Sequence, residues 1–201
     1  MASIESICVY CGSSPGTDPA FSVSARRFGT LLAEGGIRLV YGGGGIGLMG
    51  EVAEAAAAAG GAVTGIIPDF LMRREKAPQG EMELIVVDDM HARKRLMFER
   101  ADAFVALPGG IGTLEELVEQ LTWAQLGQHR KPVLIANLNG FWDPFIELIG
   151  HMRDTGFIRA PYPVDLLVAE HVEDIVPRLQ AAADAVAGRE PAATAEVARR
   201  M

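Results

Sequence analysis

The amino-acid sequence predicts an α/β domain built on a doubly wound sheet whose strands are mostly or wholly parallel. Short apolar runs alternate along the chain with longer segments of helical periodicity, which is the pattern of strands and helices in such folds. The runs are apolar on both faces, as in strands that helices cover on both sides. Two turns between a strand and a helix are rich in glycine, as at the ligand-binding edge of an open sheet. Together these observations favour a Rossmann-like arrangement with helices on both faces.

Each predicted strand is a short apolar run bounded by residues that favour turns. The Cys11–Gly16 loop ends the first strand, and Pro68 ends the third. In chain order the predicted strands are Ser6–Tyr10, Ile37–Tyr41, Ala62–Ile67, Leu84–Val87, Ala103–Leu107, Val133–Ala136 and Leu166–Val168. Because the chain contains no internal repeat and no linker, these strands are expected to form one sheet.

Each predicted helix follows a strand and has apolar or alanine-rich positions at helical spacing. The first carries Phe21, Ala25, Phe28 and Leu32 on one face and ends at Gly35-Gly36. In chain order the predicted helices are Pro19–Glu34, an alanine-rich helix after the Gly42–Gly47 run that ends at Ala59, Met90–Ala101, a helix from the Pro108–Gly112 turn to about Leu126, Pro144–Asp154, and Val172–Ala187.

The chain is expected to form one domain over residues 1–187, followed by a flexible tail over residues 188–201. The tail from Gly188 is rich in alanine and arginine and has no apolar pattern. Inside the domain, Leu71–Gly80 is polar and irregular, so we expect a mobile loop over a site.

Composition excludes several classes of protein. The 201 residues include 18 Lys+Arg and 26 Asp+Glu, a formal net charge of −8, which argues against a nucleic-acid partner because such binding needs a basic face. Hydrophobic residues make up 49% of the chain, enough for a core. No apolar run is long enough to span a bilayer, and no secretory signal is recognised. With two cysteines, the expected location is the reducing cytoplasm, without membrane contact.

Two glycine-rich turns, Tyr41–Gly50 and Leu107–Thr113, are candidate phosphate sites. Without Cβ atoms the backbone can approach a ligand closely, and amides at a helix N-terminus favour an anion. The alternative is that the glycines only permit tight turns and close helix packing. Gly45–Gly50 also matches the dinucleotide fingerprint, with Asp69 as a ribose ligand, but it follows the second strand instead of the first, so a nicotinamide enzyme is the minority interpretation.

Two helix starts carry charged residues. Met90–Arg95 is basic, and because cations at a helix N-terminus oppose the helix dipole, a phosphate is a candidate for the compensating anion; a solvated charged face is the alternative. Thr113 and Glu116 have the spacing of a capping box, which physical chemistry alone favours over a carboxylate presented to a ligand. Cys8 and Cys11 have the spacing of a C-x-x-C motif, but Cys8 is expected in the core on the first strand and Cys11 at the start of the following loop, so no redox pair is predicted. The scattered histidines predict no metal site.

Pro108–Glu116 fits the pattern PGGxGTxxE and, together with Met90–Met97, resembles the Lonely Guy family over Ile7 to about Ile158. Members of that family are cytokinin riboside 5′-monophosphate phosphoribohydrolases, long mislabelled as lysine decarboxylases. The resemblance implies a nucleotide-binding hydrolase domain that cleaves nucleoside 5′-monophosphates, cytokinin precursors or AMP, into base and ribose 5-phosphate without a cofactor. It also implies a homodimer. The chain departs from the family in having Ile111 where tyrosine is frequent.

The resemblance also implies site residues. Arg93 and Glu116 are the implied catalytic pair. The implied substrate-binding residues are Glu75, Arg93, Lys94, Gly110, Ile111, Gly112, Thr113, Leu114, Glu115, Glu116 and Thr122, and the candidate phosphate loop comprises Ser14, Gly43, Gly44 and Gly45. A carboxylate such as Glu116 can stabilise positive charge on a ribose or orient water.

Two other functions remain open at this stage. A non-catalytic carrier of a nucleotide or of molybdenum cofactor needs only the glycine loops, but it has no evident use for Glu116 beside its ligand. A lysine decarboxylase needs a Schiff-base lysine, and only Lys76, Lys94 and Lys131 are available.

Overall fold

The computed structural model describes residues 4–72, 80–159 and 163–197. Seven parallel strands form one sheet in the order β4-β3-β2-β1-β5-β6-β7. The strands are β1 Ser6–Tyr10, β2 Arg38–Tyr41, β3 Val63–Pro68, β4 Glu83–Val87, β5 Ala103–Ala106, β6 Val133–Ala136 and β7 Leu167–Ala169. In the centre, Ile7 of β1 pairs with Leu39 of β2 and Ala103 of β5. The chain therefore changes direction across the sheet between β1 and β5, which is the point where open α/β sheets bind ligands.

Seven helices accompany these strands in the described part of the chain. They are α1 Pro19–Glu34, α2 Gly47–Ala58, α3 Asp69–Met72, α4 Met90–Glu99, α5 Ile111–Gln125, α6 Asp143–Asp154 and α7 Ile175–Val197. The predicted doubly wound α/β fold is thus confirmed, and each predicted strand is present within a residue or two of its bounds.

Two apolar clusters cover the two faces of the sheet. One contains Phe28 of α1 and Val52 of α2, and the other contains Met97 of α4 and Leu117 of α5. Alternate β1 residues enter opposite clusters, as strand geometry requires, so Cys8 and Cys11 lie on different faces and are not bonded to each other. The α4 and α5 side is the one that carries the candidate catalytic residues.

Three helix predictions need correction. The last helix continues to Val197 instead of ending at Ala187, although Gly188 and Pro191, which have low helix propensity, both lie within it; flexibility after Gly188 stays a prediction. Val172–Asp174 is a separate 3-10 turn. The predicted irregular loop begins with α3, and residues 73–79 lie outside the described part of the chain. In the described residues, no helix is both long enough and apolar enough to cross a bilayer.

Candidate active site

A cavity of about 280 Å³ lies at the point where the strand order reverses. Its walls are the loop after β1, Gly12–Gly16, and the turn after β5, Pro108–Gly110, which are joined by a hydrogen bond of 3.1 Å from the Gly12 amide to the Pro108 carbonyl oxygen. The remaining lining residues are Phe21, Leu48 and Phe141. The predicted phosphate residue Ser14 therefore faces the same cavity as the second glycine turn.

The N-terminus of α5 offers backbone donors beside this cavity. Gly110 is the N-cap and makes no side-chain cap hydrogen bond. The first amide bonded back within the helix is that of Leu114, which donates to the Gly110 carbonyl oxygen at 3.0 Å. The amides of Ile111, Gly112 and Thr113 consequently have no acceptor within the helix and suit an anion.

The predicted capping box at Thr113 and Glu116 is wrong. Gly110 is the N-cap of α5, and a threonine cap at Thr113 would require the helix to begin three residues later. Thr113 is instead the third residue of the helix and is buried. Its side chain packs against Gly109, where a Cβ would lie 2.2 Å from Thr113 Oγ1. Released from the capping role, Glu116 turns its carboxylate toward α4.

Arg93 is fixed by two backbone carbonyl groups, one just after β2 and one within β3. Its side chain is 10% exposed. Nε donates to the Ile66 carbonyl oxygen and Nη2 donates to the Gly42 carbonyl oxygen, each at 3.2 Å. Nη1 lies 3.7 Å from Glu116 Oε1. The guanidinium group thus has one edge anchored to the sheet and another turned to the carboxylate.

Glu116 is a buried carboxyl group with a perturbed acidity. Its side chain is 12% exposed, and burial, opposed by Arg93, raises its pKa from 4.5 to about 7. Glu115 and Glu119 raise the pKa further, whereas Lys94 lowers it. At neutral pH the carboxyl group therefore populates both its acidic and its basic form, which suits a residue that stabilises positive charge and exchanges a proton.

Lys94 lies beside this pair but directs its ammonium group to other carboxylates. Nζ donates to Glu115 Oε1 at 2.6 Å and to Glu119 Oε1 at 2.9 Å. Together with Asp89, which caps α4 by accepting from the Ala92 amide at 2.8 Å, these carboxylates supply anionic groups around the basic start of α4. These protein carboxylates can compensate the basic helix start, and a phosphate there stays a prediction.

Three further predicted substrate residues lie along α5 and differ in exposure. Ile111 is 83% exposed, Thr122 is exposed and donates to the Val118 carbonyl oxygen at 2.7 Å, and Leu114 packs against the core. Glu75 lies outside the described residues.

Two glycines of the Gly42–Gly50 run are required by backbone conformation and packing. Gly43 has φ +77° and abuts Ile67, and Gly47 has φ +60° and abuts the backbone of Ser13 and Ser14. Side chains at these positions would clash, which is the packing interpretation of the glycines. Gly43, Gly44 and Gly45 do not line the cavity that Ser14 lines.

Sequence reasoning missed three partners in the site. The carbonyl groups of Gly42 and Ile66 carry no side-chain signal, so their bonds to Arg93 are visible only in the fold. Glu119 could have been found, because Glu115 and Glu119 are one helical turn apart and so share a face of α5.

Comparison with known proteins gives close relatives. The family model described as "Possible lysine decarboxylase" matches residues 49–179. The chain is 46% identical over 174 residues to the cytokinin riboside 5′-monophosphate phosphoribohydrolase LOG7 of Arabidopsis thaliana, a match that covers 87% of this chain and 80% of the relative. It is 43% identical over 173 residues to the cytokinin riboside 5′-monophosphate phosphoribohydrolase of Rhodococcoides fascians, covering 86% of this chain and 87% of the relative.

Solved structures show the same architecture. The structure of TM1055 matches with a TM-score of 0.69 and 25% identity, covering 88% of this chain and 98% of the other. The molybdenum cofactor binding protein of Rippkaea orientalis matches with a TM-score of 0.67 and 21% identity, covering 90% and 98%. At that identity the second likeness concerns the fold alone.

Proposed function

Because the chain belongs to the family of cytokinin riboside 5′-monophosphate phosphoribohydrolases, we propose that it hydrolyses the N-glycosidic bond of N6-substituted adenosine 5′-monophosphates. The products are the free base and ribose 5-phosphate. The observation that carries the proposal is the buried Arg93–Glu116 pair, with 3.7 Å between Nη1 and Oε1, beside the unpaired amides at the start of α5.

The same geometry supports a site for the 5′-phosphate at the start of α5. Ser14 and Gly110 line the cavity, and the amides of Ile111, Gly112 and Thr113 follow Gly110 at the start of α5. The positive end of the helix dipole favours a phosphate there. The ribose then extends toward Glu116, which lies one turn further along α5.

The reaction needs a group that tolerates positive charge on the ribose. As the C1′–N bond breaks, its electron pair leaves on the base nitrogen and the ribose acquires oxocarbenium character. The ionised form of Glu116 stabilises that charge and accepts a proton from the water that bonds to C1′. With a pKa of about 7, the carboxyl group can return this proton to the base, so no further donor is required. Arg93 acts by holding the carboxylate in place.

A direct assay tests the proposal. The purified protein is incubated with N6-isopentenyl-AMP without added cofactor, and free base and ribose 5-phosphate are measured by chromatography. Equal amounts of both products are the expected result. An intact nucleotide, under conditions in which a relative from the same family releases base, would contradict the proposal.

We also propose that the protein has activity of the AMP nucleosidase type. AMP and N6-alkylated AMP share the phosphate and ribose that the described residues address, so we propose that both are cleaved. The ratio of their kcat/KM values measures how much the N6 substituent contributes.

Neither alternative function gains support from a specific contact. Of the described lysines, Lys94 is held by two carboxylates, and Lys131 donates to the Phe98 carbonyl oxygen at 2.7 Å while lying 4.1 Å from the Phe98 ring centroid. Neither presents a free amine for a Schiff base. A molybdenum cofactor carrier is supported only by likeness of fold, whereas the Arg93–Glu116 pair is explained by hydrolysis.

Substitution of Gly42 by Ala tests the anchoring of Arg93. A Cβ at position 42 would lie 2.0 Å from Arg93 Nη2, so the guanidinium group must move, and we expect turnover to fall at least about tenfold. The matched control is Gly150→Ala, where a Cβ meets no atom within 4 Å; it should turn over at the wild-type rate. Equal activity of the two variants would show that the position of Arg93 is not critical.

We also propose that the protein is a cytoplasmic homodimer. Support for the location is the pair of buried, unbonded thiols of Cys8 and Cys11. Support for the dimer is an apolar stripe on the exposed side of α5, where Ile111, Val118 and Leu126 are 83%, 41% and 69% exposed. Apolar stripes of this kind mark protein interfaces.

The dimer is tested by placing a charge in this stripe. Val118→Glu should convert the dimer into a monomer in light scattering coupled to size-exclusion chromatography, because the interface would bury an unpaired carboxylate. Val23→Glu is the control, since Val23 is 59% exposed on the distant helix α1. A monomeric wild type, or a Val118→Glu dimer, would contradict the assignment of this surface.

A further inference from the structure

Lys94 occupies an unusual place for a residue expected to bind substrate. It follows Arg93 on α4, and both of its carboxylate partners, Glu115 and Glu119, belong to α5. Its side chain is only 14% exposed. An ammonium group has three donors, and two of them are already directed at protein carboxylates. Little of its charge is left for a phosphate.

We propose that Lys94 is a positioning residue that clamps α4 to α5 and thereby holds Glu116 within reach of Arg93. The catalytic role of this clamp rests on the proposed function. It replaces the role of substrate ligand that the sequence resemblance implies for Lys94.

The geometry of the clamp supports this role. Arg93 and Lys94 are consecutive on α4 and face three acidic residues of α5. Three ion pairs therefore cross the same helix pair side by side, one from Arg93 and two from Lys94. Because Glu115 and Glu119 are one turn apart, a single ammonium group bound to both restrains the sliding and the rotation of α5 at once. Glu116 lies between those two contacts in sequence, and its position follows from them.

The clamp also neutralises charge around Glu116. Several titratable or charged groups interact electrostatically with this carboxyl group. From α4, α5 and the β1 region these are Arg93, Lys94, Glu115, Glu119, Cys8, Tyr10 and Cys11. Removing Lys94 leaves two carboxylates without their cation, so the pKa of Glu116 should rise above its value of about 7. The ionised form of Glu116 would then be reached only at higher pH.

The first experiment compares Lys94→Met and Lys94→Arg with the wild type on N6-isopentenyl-AMP. Lys94→Met should lower kcat by about tenfold or more with KM changed by less than about twofold, and should move the acidic limb of the kcat profile to higher pH. Lys94→Arg keeps the charge and should recover most of kcat. The control is Arg95→Met, because the neighbouring Arg95 side chain is exposed; its kcat and pH profile should match the wild type.

The second experiment separates a clamp from a ligand. Ribose 5-phosphate binding is measured by calorimetry for Lys94→Met and for Glu119→Gln. A clamp predicts that both variants bind ribose 5-phosphate within about twofold of the wild type and that Glu119→Gln reproduces the kcat loss. A tenfold or larger loss of binding in Lys94→Met, with normal binding and kcat in Glu119→Gln, would make Lys94 a phosphate ligand and overturn the proposal.

A third measurement does not depend on activity. In a double-mutant cycle of urea midpoints, Lys94→Met and Glu119→Gln should be non-additive, because each removes the same bridge. Additive effects would overturn the clamp. If the cycle shows coupling but the wild type cleaves no nucleotide, the proposed function fails and the clamp between α4 and α5 stands.

Discussion

Substitution of Glu116 by Gln is expected to lower turnover by at least about a thousandfold while the protein still folds. The amide keeps the shape of the side chain but can neither carry the negative charge that opposes the oxocarbenium ion nor exchange a proton with water and base. Release of ribose 5-phosphate from N6-isopentenyl-AMP measures the loss. Glu99→Gln, an exposed glutamate at the end of α4, is the control and should retain wild-type turnover.

The same substitution should stabilise the protein at alkaline pH. Burial raises the pKa of Glu116 from 4.5 to about 7, so the favourable contribution of the neutral carboxyl group is complete below pH 4.5 and is lost as the pH rises through 7. Glu116→Gln removes this dependence. The free energy of unfolding of Glu116→Gln should therefore exceed that of the wild type by an amount that grows between pH 4.5 and pH 7 and is constant at higher pH. This difference should be no more than about 3 kcal/mol.

Urea unfolding at pH 5 and at pH 8.5 checks this expectation. A wild-type rate in Glu116→Gln would remove Glu116 from the chemistry. A stability difference that does not depend on pH would show that the carboxyl group has an ordinary pKa, and the case for its proton exchange at neutral pH would then be lost. The two results are independent, because one concerns the reacting ribose and the other the buried carboxyl group alone.

Most of the fold could be predicted because the strands are short apolar runs separated by unambiguous turn residues. The run ending at Tyr10 and the break at Cys11–Gly16 locate β1 without any tertiary information. Helix ends were harder, since they depend on propensity and on contacts that a local pattern does not contain. The extension of α7 to Val197 has no apolar stripe to reveal it.

The site was predicted less completely, because its key contacts involve the backbone. Spacing and family resemblance suffice to select Arg93 and Glu116, and the structure brings these two together. The sequence does not show that α5 begins at Ile111, and this start excludes the cap at Thr113. Nor does it show which glycines packing requires. A Cβ at Gly43 would lie 3.0 Å from the Ile67 Cβ, and a glycine-rich run alone does not indicate such a contact.

Substitution of Arg93 should damage both catalysis and stability, in contrast to Glu116→Gln. Arg93→Ala leaves the carbonyl groups of Gly42 and Ile66 without their donor and the Glu116 carboxylate without its cation. Turnover should fall by at least about a hundredfold, and the free energy of unfolding should fall by about 2–4 kcal/mol. Urea unfolding at pH 7 and the ribose 5-phosphate assay measure the two effects.

Arg93→Lys distinguishes charge from geometry. A lysine restores the positive charge near Glu116, but a single ammonium group cannot bond to both backbone carbonyl groups and still face the carboxylate, as the planar fork does. We therefore expect Arg93→Lys to regain part of the stability and little of the turnover. If Arg93→Lys instead restored full turnover, a nearby positive charge would suffice for catalysis, and the bonds from Arg93 to Gly42 and Ile66 would serve only the stability of the sheet edge. The Gly42→Ala variant should then also turn over normally, since it shifts the guanidinium group without removing its charge.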